Sequence, residues 1–508
     1  MAAIKPPLPD PVAVAQNLKG WAATQPRFAR YLNARIPVVE ALTRWSLELL
    51  KANQIPMGIS VLRSALALTP DDPVLWANYG TALSKSNASD EAAACLQYSV
   101  MLSHQQPHTW LLLGLARQKQ GNPGAAEAAY RVALEQEPDS SVAWQLIAAL
   151  REQLRDYAGA CDCLIECIKA DGANAAVQAN LGKLQYQLGR LSESADAYTK
   201  AAGMDSGNAH FRQMARKTTF LRELLQGETI DDAVAHYQNS FTTDEKDSEK
   251  DLRDLLHSSF SLLSGFGHLE AAARVGMKQI ELWPANASLN YLMSAVAQDQ
   301  SLDRSPSEYV VEHFNAFAKG FDEQLVGVLG YDMPEKICSA VRKTTAAGHR
   351  HETLDAGCGT GLCGPLLRPI SRTLTGVDLS PKMLEQAARK AVYDALACED
   401  LTTFLLKSPA HFDLIVAADL MVYFGILTPL FAAAATALRP GGLFALSTEL
   451  WTGEGYHLQP SGRFAHAPQY VRLMAGLDFE EVFQAETTIR LEANRRLPGN
   501  IFILRRRG

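Results

Sequence analysis

The chain has 508 residues, 47% of them hydrophobic and 20% charged, with a formal net charge of -7 at pH 7. That length exceeds one ordinary core and calls for about two to four domains. Neither half is basic when the chain is split at 304/305, which excludes nucleic acid as the main partner, and no apolar run is long enough to span a bilayer, so no membrane association is expected.

The first residues, MAAIKPPLPDP, hold no apolar stretch and do not read as a secretory signal. Eight cysteines without a framework pattern suit a reducing cytoplasm, the expected location. Cys161, Cys163 and Cys167 cluster, but no His lies near them in sequence. They read as small buried residues on a helix, and no metal site is expected. Residues 1–38 form a first segment, with a helical cap over 11–36.

Trp76, Trp110 and Trp144 then recur every 34 residues. Leu42 and Gln178 hold the same phase one repeat earlier and one later. Gly80, Gly114, Ala148 and Gly182 follow four residues on; Ala92, Ala126 and Ala160 follow sixteen on, with Gly58 and Ser194 in the outer repeats. Pro70 and Pro138 close two of the units. Small residues at fixed phase let paired amphipathic helices approach, while large ones fill between them. This pattern resembles the tetratricopeptide repeat, and five units cover 39–206. Such arrays present a concave groove, which implies a protein or peptide partner. Asn78 and Asn180 match in phase, but Arg44, Leu112 and Leu146 stand at the other equivalent positions, so no asparagine ladder for a sugar-transfer reaction exists. Dimerising the chain, or bracing its second half, is the alternative role. Residues 207–304 read as divergent helical repeats and a linker, with Gly267, Ala272 and Pro284 at repeat-like offsets. The charged stretch 242–251 reads as an exposed connection.

A new domain is expected over 305–508. Phe314, Phe317 and Phe321 share one face of a helix that packs into a core or lids a ligand. Strand 353–356 then meets Gly357-Cys358-Gly359-Thr360-Gly361, a turn where a ligand can lie against bare backbone, and a helix is expected after it. The glycine spacing is not G-x-G-x-x-G, which disfavours a nicotinamide cofactor. Strand 372–377 ends at Asp378, strand 412–417 is followed by Asp419, and strand 443–448 follows Arg439-Pro440-Gly441-Gly442. Segments 482–491 and 499–506 read as a hairpin. Alternating strands and helices imply an α/β doubly wound, mostly parallel sheet of seven strands, with ligands at the C-terminal strand edges.

LDAGCGTG, GVDLSPKML, the acid of CEDL, FDLIVAADLMVY and LRPGGLFALS occur in that order. The set resembles the class I S-adenosylmethionine-dependent methyltransferases, here joined to repeats as in predicted bacterial methyltransferases that carry them in front. The resemblance implies S-adenosylmethionine as methyl donor. Asp355, Gly357, Cys358, Gly359 and Gly361 would hold its methionine end, aided by the N-terminus of the following helix. Asp378 would take both ribose hydroxyls. Leu379 and Met383 would line the adenine, Asp400 and Leu401 would meet its edge, and Asp419 would stand beside the sulfonium. His466 and Tyr423 are candidates for acid–base work; Glu449, Trp451, Tyr456, Arg463 and Tyr470 are candidates for the acceptor side. The glycine-hinged stretch 461–466 would be a lid over the acceptor. The expected function is methyl transfer to a protein, peptide or other extended acceptor recruited by the repeats. The alternatives are a scaffold that binds the cofactor without catalysis, and a small-molecule methyltransferase whose repeats only make a homo-oligomer.

Overall fold

Small residues at fixed phase let helices close on one another, and the first half of the chain is built that way. The computed structural model describes residues 7–34, 36–241, 249–284, 286–322, 331–345, 348–476, 478–492 and 495–508. Most of the expected charged connection, residues 242–248, lies outside them. The chain divides into two compact units, Met1–Thr218 and Thr219–Gly508.

In the first unit, helix pairs run Val38–Lys51 with Ile55–Leu68, Pro73–Lys85 with Ser89–Leu102, Pro107–Lys119 with Pro123–Gln136, Ser141–Gln153 with Tyr157–Asp171, and Ala175–Gln187 with Leu191–Met204. Asp72, Asn122, Asp156 and Asn174 start four of these helices by accepting from first-turn N–H groups. A Cβ at Gly80 would fall 2.7 Å from Leu96, and one at Gly182 would fall 2.8 Å from Tyr198. Only glycine lets the paired helices come that close. Each tryptophan of the repeat ties its unit to the end of the one before: the indole Nε1 of Trp76, Trp110 and Trp144 donates to the carbonyl six residues upstream, at 2.8, 3.0 and 3.2 Å. Cys161, Cys163 and Cys167 pack in the apolar core with Ala160 and Leu164. Helices Pro11–Thr24 and Pro26–Asn33 precede the pairs and press Trp21 and Phe28 on Trp45, with ring centroids 5.4 and 4.9 Å apart.

The second unit opens with helices. Glu249–Gly265 and Leu269–Leu282 form a pair whose tight joint holds Gly267, and Ala287–Val296, Ser307–Phe317 and Met333–Thr344 follow. The strands are β1 (His351–Ala356), β2 (Ser371–Asp378), β3 (Ala395–Cys398), β4 (Phe412–Ala417), β5 (Leu438–Leu450), β6 (Tyr456–Leu458), β7 (Phe464–His466), β8 (Phe479–Glu492) and β9 (Arg495–Arg506). They make one sheet. The order β3-β2-β1-β4-β5 is parallel; β9 then pairs with β5 antiparallel, and β8 with β9. This is the expected doubly wound sheet of seven strands, enlarged by one hairpin. The extra strands β6 and β7 attach to the end of β5 through Glu449 and Leu450.

Two expectations are corrected here. The stretch 461–466 is not a free lid. Its last residues are β7, Phe464, Ala465 and His466 are buried, and Gln459 N–H donates to the Arg463 carbonyl at 2.8 Å. The helix after the glycine turn is a single turn, Gly364–Leu367, passing into a 3-10 segment at Arg368–Ile370. Pro369 lacks the N–H needed to continue it. A helix this short supplies no N-terminal anion site.

The helices of residues 249–317 are packed onto the sheet's own core. Tyr291, Ala295 and Tyr309 belong to the apolar cluster that contains Leu354, Phe424 and Phe464. Ser264 Oγ donates to the Pro460 carbonyl at 2.8 Å, and Tyr291 OH donates to the Gly462 carbonyl at 2.8 Å.

Candidate functional site

At the C-terminal ends of β1, β2 and β4 lies a cavity of about 310 Å³. Its lower wall is the glycine turn. Gly357 and Cys358 both donate their N–H to the Val377 carbonyl, at 2.8 and 3.0 Å, which pins the turn to β2. Gly357 and Gly359 take φ of +68° and +54°. A Cβ on Gly357 would strike Leu420 at 2.7 Å, whereas one on Gly359 would meet no atom within 4 Å. Gly359 lines the cavity, so the space a side chain would fill there is open to a ligand.

Two carboxylates flank the turn. Asp378 accepts from Gly359 N–H at 2.9 Å and from Ser380 N–H at 2.8 Å. Burial raises its pKa, against the pull of those N–H groups. Asp355 accepts from Tyr393 OH at 2.6 Å. Burial pushes its carboxyl up to about 7; the Tyr393 hydrogen bond opposes this and the Asp378 charge adds to it. Asp400 caps helix Leu401–Leu406 by accepting from Thr403 N–H at 3.0 Å, and it also pairs with Arg304. The ion pair and the cap outweigh burial and lower its pKa. Asp419 sits just past β4 at φ +54°, its N–H donating to Ser447 Oγ at 2.8 Å.

A roof crosses above these groups. Helix Ser307–Phe317 contributes Val310, His313, Phe314 and Phe317 to the wall. It is fastened at both ends: Ser305 N–H donates to the Tyr423 carbonyl at 3.0 Å, and Ser380 Oγ donates to Asn315 Oδ1 at 2.9 Å.

Of the residues expected at a site, the cavity gathers Asp355, Gly357, Cys358, Gly359, Asp378, Leu379, Asp400, Leu401, Asp419, Tyr423 and Arg463. Others stand outside it. Gly361 turns its bare Cα toward the Tyr393 ring, and Met383 is a buried residue of helix Pro381–Arg389 outside the cavity wall. Trp451 stacks on His457 with centroids 4.2 Å apart, and Tyr456 packs on Phe464. Tyr470 OH donates to the Gly425 carbonyl at 3.2 Å. Glu449 lies behind the wall, 2.8 Å from Arg490. The geometry runs against an acid–base role for His466. Its ring is fully buried, Nε2 donates to the Phe424 carbonyl at 2.7 Å, and burial lowers its pKa to about 4. It is a fixed donor holding β7 to the loop after β4.

The sequence reading missed Arg304, His313, Tyr331, Glu399 and Arg490, all of which line the cavity. His313 precedes the noted Phe314, so the apolar stripe pointed at the right helix. Arg490 lies far along the chain, and nothing near it in sequence marks it.

Three stretches match family models: a methyltransferase domain over 353–442 and tetratricopeptide repeats over 107–150 and 146–209. Among curated proteins, the ubiquinone biosynthesis O-methyltransferase of Thiobacillus denitrificans is 25% identical over 118 residues, 22% of this chain and 50% of that protein. The enzyme of the same name from Idiomarina loihiensis is 30% identical over 104 residues, 19% of this chain and 42% of that protein. The chain thus spans about half the length of the curated relatives it matches. Among solved structures, the N-methyltransferase NodS of Bradyrhizobium japonicum in complex with S-adenosylhomocysteine is 17% identical, with a TM-score of 0.32, over 39% of this chain and 98% of that one. A tetratricopeptide-repeat protein of Thermus thermophilus is 15% identical, with a TM-score of 0.28, over 36% of this chain and 98% of that one.

Proposed function

We propose that this chain, which carries a methyltransferase domain behind tetratricopeptide repeats, transfers a methyl group from S-adenosylmethionine to an acceptor recruited by the repeats. The observation that carries the reading is the cavity wall of Gly357, Gly359, Asp355 and Asp378: bare backbone facing open space, flanked by a buried carboxylate at Asp355 and a half-buried one at Asp378. Two carboxylates beside the turn would repel a nucleotide's phosphates, whereas a cationic donor with a ribose diol matches them. S-adenosylmethionine supplies a methyl group on a sulfonium, which a nucleophile takes in line.

The chain's own residues do the holding. Asp378 accepts from the ribose hydroxyls, and the glycine turn and Asp355 hold the amino-acid end. Leu379 and Leu401 flank the adenine, and Asp400 meets its edge. Asp419 faces the positive charge. Tyr423 lines the acceptor side; burial raises its pKa, so its phenol stays protonated and donates. The roof lines one side of the cavity with apolar groups, and holding acceptor and methyl in line supplies the main rate gain. The family models over 107–209 support partner binding by the repeats. A tethered recognition array raises the local concentration of a weakly held acceptor. All eight cysteines are free thiols, and among the described residues no helix is long and apolar enough to cross a membrane. Free thiols support a reducing cytoplasm as the location.

Calorimetry with S-adenosylmethionine tests the donor: binding is expected, and its absence sinks the reading. Labelled cofactor in cell extract, separated by size, tests the acceptor. Label confined to the small fraction would remove the extended-acceptor part.

A further inference from the structure

One end of the cavity is acidic and the other is balanced. Asp355, Asp378, Glu399 and Asp400 line the end at β1, β2 and β3, where Arg304 is turned onto Asp400. At the far end two guanidiniums stand with two carboxylates. Arg490 is 2.8 Å from Glu449, and Arg463 is 3.7 Å from Asp419. An ionised group entering there meets charges that are already matched.

Three polar side chains complete that far end. His313 reaches the wall from helix Ser307–Phe317, Tyr331 from the chain just before helix Met333–Thr344, and Tyr423 from the 3-10 turn after β4. All three lie within electrostatic reach of Arg463. Among the described residues, no hydrogen bond engages the imidazole nitrogens of His313 or the phenol oxygens of Tyr331 and Tyr423. The two tyrosines are only 7% and 8% exposed, so their hydroxyls depend on whatever fills the cavity for a partner. The His313 ring packs on other rings, with centroids 5.8 Å from Tyr309 and 5.0 Å from Phe317, which leaves its nitrogens unused. Burial, with Arg463 and with His257 of helix Glu249–Gly265, lowers its pKa to about 4. The ring is therefore neutral at neutral pH, with one nitrogen carrying a lone pair. Burial raises the pKa of both tyrosines, which stay protonated and donate.

We propose that the acceptor atom is the oxygen of a neutral hydroxyl group held between these phenols and His313, and that His313 takes its proton. The proposal rests on the methyl-donor reading above. A hydroxyl both accepts and donates, so its lone pair meets a tyrosine while its proton meets the imidazole. A carboxylate has no proton for the imidazole, and an ammonium brings a charge where the carboxylates are already matched. As the hydroxyl oxygen bonds to the methyl carbon, the C–S electron pair stays on sulfur and the hydroxyl proton passes to the unprotonated nitrogen of His313, then to water. The sulfonium loses its charge in that step, so the total charge in the cavity does not change while the imidazole gains its proton.

The test is calorimetry on the full chain saturated with S-adenosylhomocysteine, titrated with phenol and with toluene, which has a methyl group in place of the hydroxyl. Phenol is expected to bind at least about tenfold tighter. His313→Phe keeps a ring in place and removes the nitrogens. It is expected to erase most of that advantage while affinity for S-adenosylhomocysteine stays within about threefold. Given S-adenosylmethionine and phenol, the unaltered chain is expected to form anisole. His313→Ala should form it at least about a hundredfold more slowly and recover in part when imidazole is added. Equal binding of phenol and toluene, unchanged phenol affinity in His313→Phe, no anisole from the unaltered chain, or anisole at the unaltered rate from His313→Ala overturns the proposal. Failure of the unaltered chain to bind S-adenosylhomocysteine overturns the donor reading instead.

Discussion

At Asp355 a carboxyl group is kept partly protonated near neutral pH by burial. The sign of its effect follows from linkage. Its folded value lies above the unfolded one, so between about pH 4 and 7 the native state holds a proton that the unfolded chain has lost. Stability therefore falls as pH rises through that window, by at most about 1.4 kcal/mol per pH unit, and levels off above it. The urea midpoint of the ligand-free chain measured from pH 5 to 8 should show this slope, and Asp355→Asn should lose it. A cationic ligand prefers the ionised form, so affinity for S-adenosylmethionine should rise from pH 6 to 8 in the unaltered chain and stay flatter in Asp355→Asn. Asp378→Asn keeps the shape and removes the charge. Loss of charge-assisted hydrogen bonds worth about 1.5–3 kcal/mol each should weaken S-adenosylhomocysteine roughly ten- to hundredfold by calorimetry.

The elements explain what was readable in the sequence and what was not. The glycine turn and Asp378 were legible because each is local: a strand, a tight turn and an acid at the next strand's end lie within one short span of chain. The repeats were legible because the same packing contact recurs at one period. Tyr331, His313 and Arg490 were not, because distant elements bring them to the cavity. Arg490 also breaks the strand alternation, since a bulge turns two consecutive residues inward. His466 was misread because polarity and a nearby glycine do not reveal that a segment pairs into a sheet edge. Tyr291 shows the same dependence on assembly. Its hydroxyl lies 2.7 Å from Ser305 Oγ and donates to the Gly462 carbonyl, so it ties the foot of the roof helix to the chain beside Arg463. Tyr291→Phe should cost about 1–3 kcal/mol by leaving buried partners unmet. A thermal melt should show the loss.

For the whole molecule, the division at 218/219 places the helices of 249–317 with the sheet. A fragment of residues 207–508 is therefore expected to bind S-adenosylhomocysteine as the full chain does. A fragment beginning at 305 lacks Tyr291 and Ser264 and should bind poorly and melt early; equal binding by both fragments would show that the preceding helices are dispensable. The tryptophan bonds of the repeats carry a different consequence. Each indole closes onto a carbonyl six residues upstream, in the loop that ends the unit before it, so each fastening spans one junction between neighbouring units. Duplication or deletion of whole 34-residue blocks would leave every remaining junction fastened, because Pro70, His104 and Pro138 stand at one phase of the repeat.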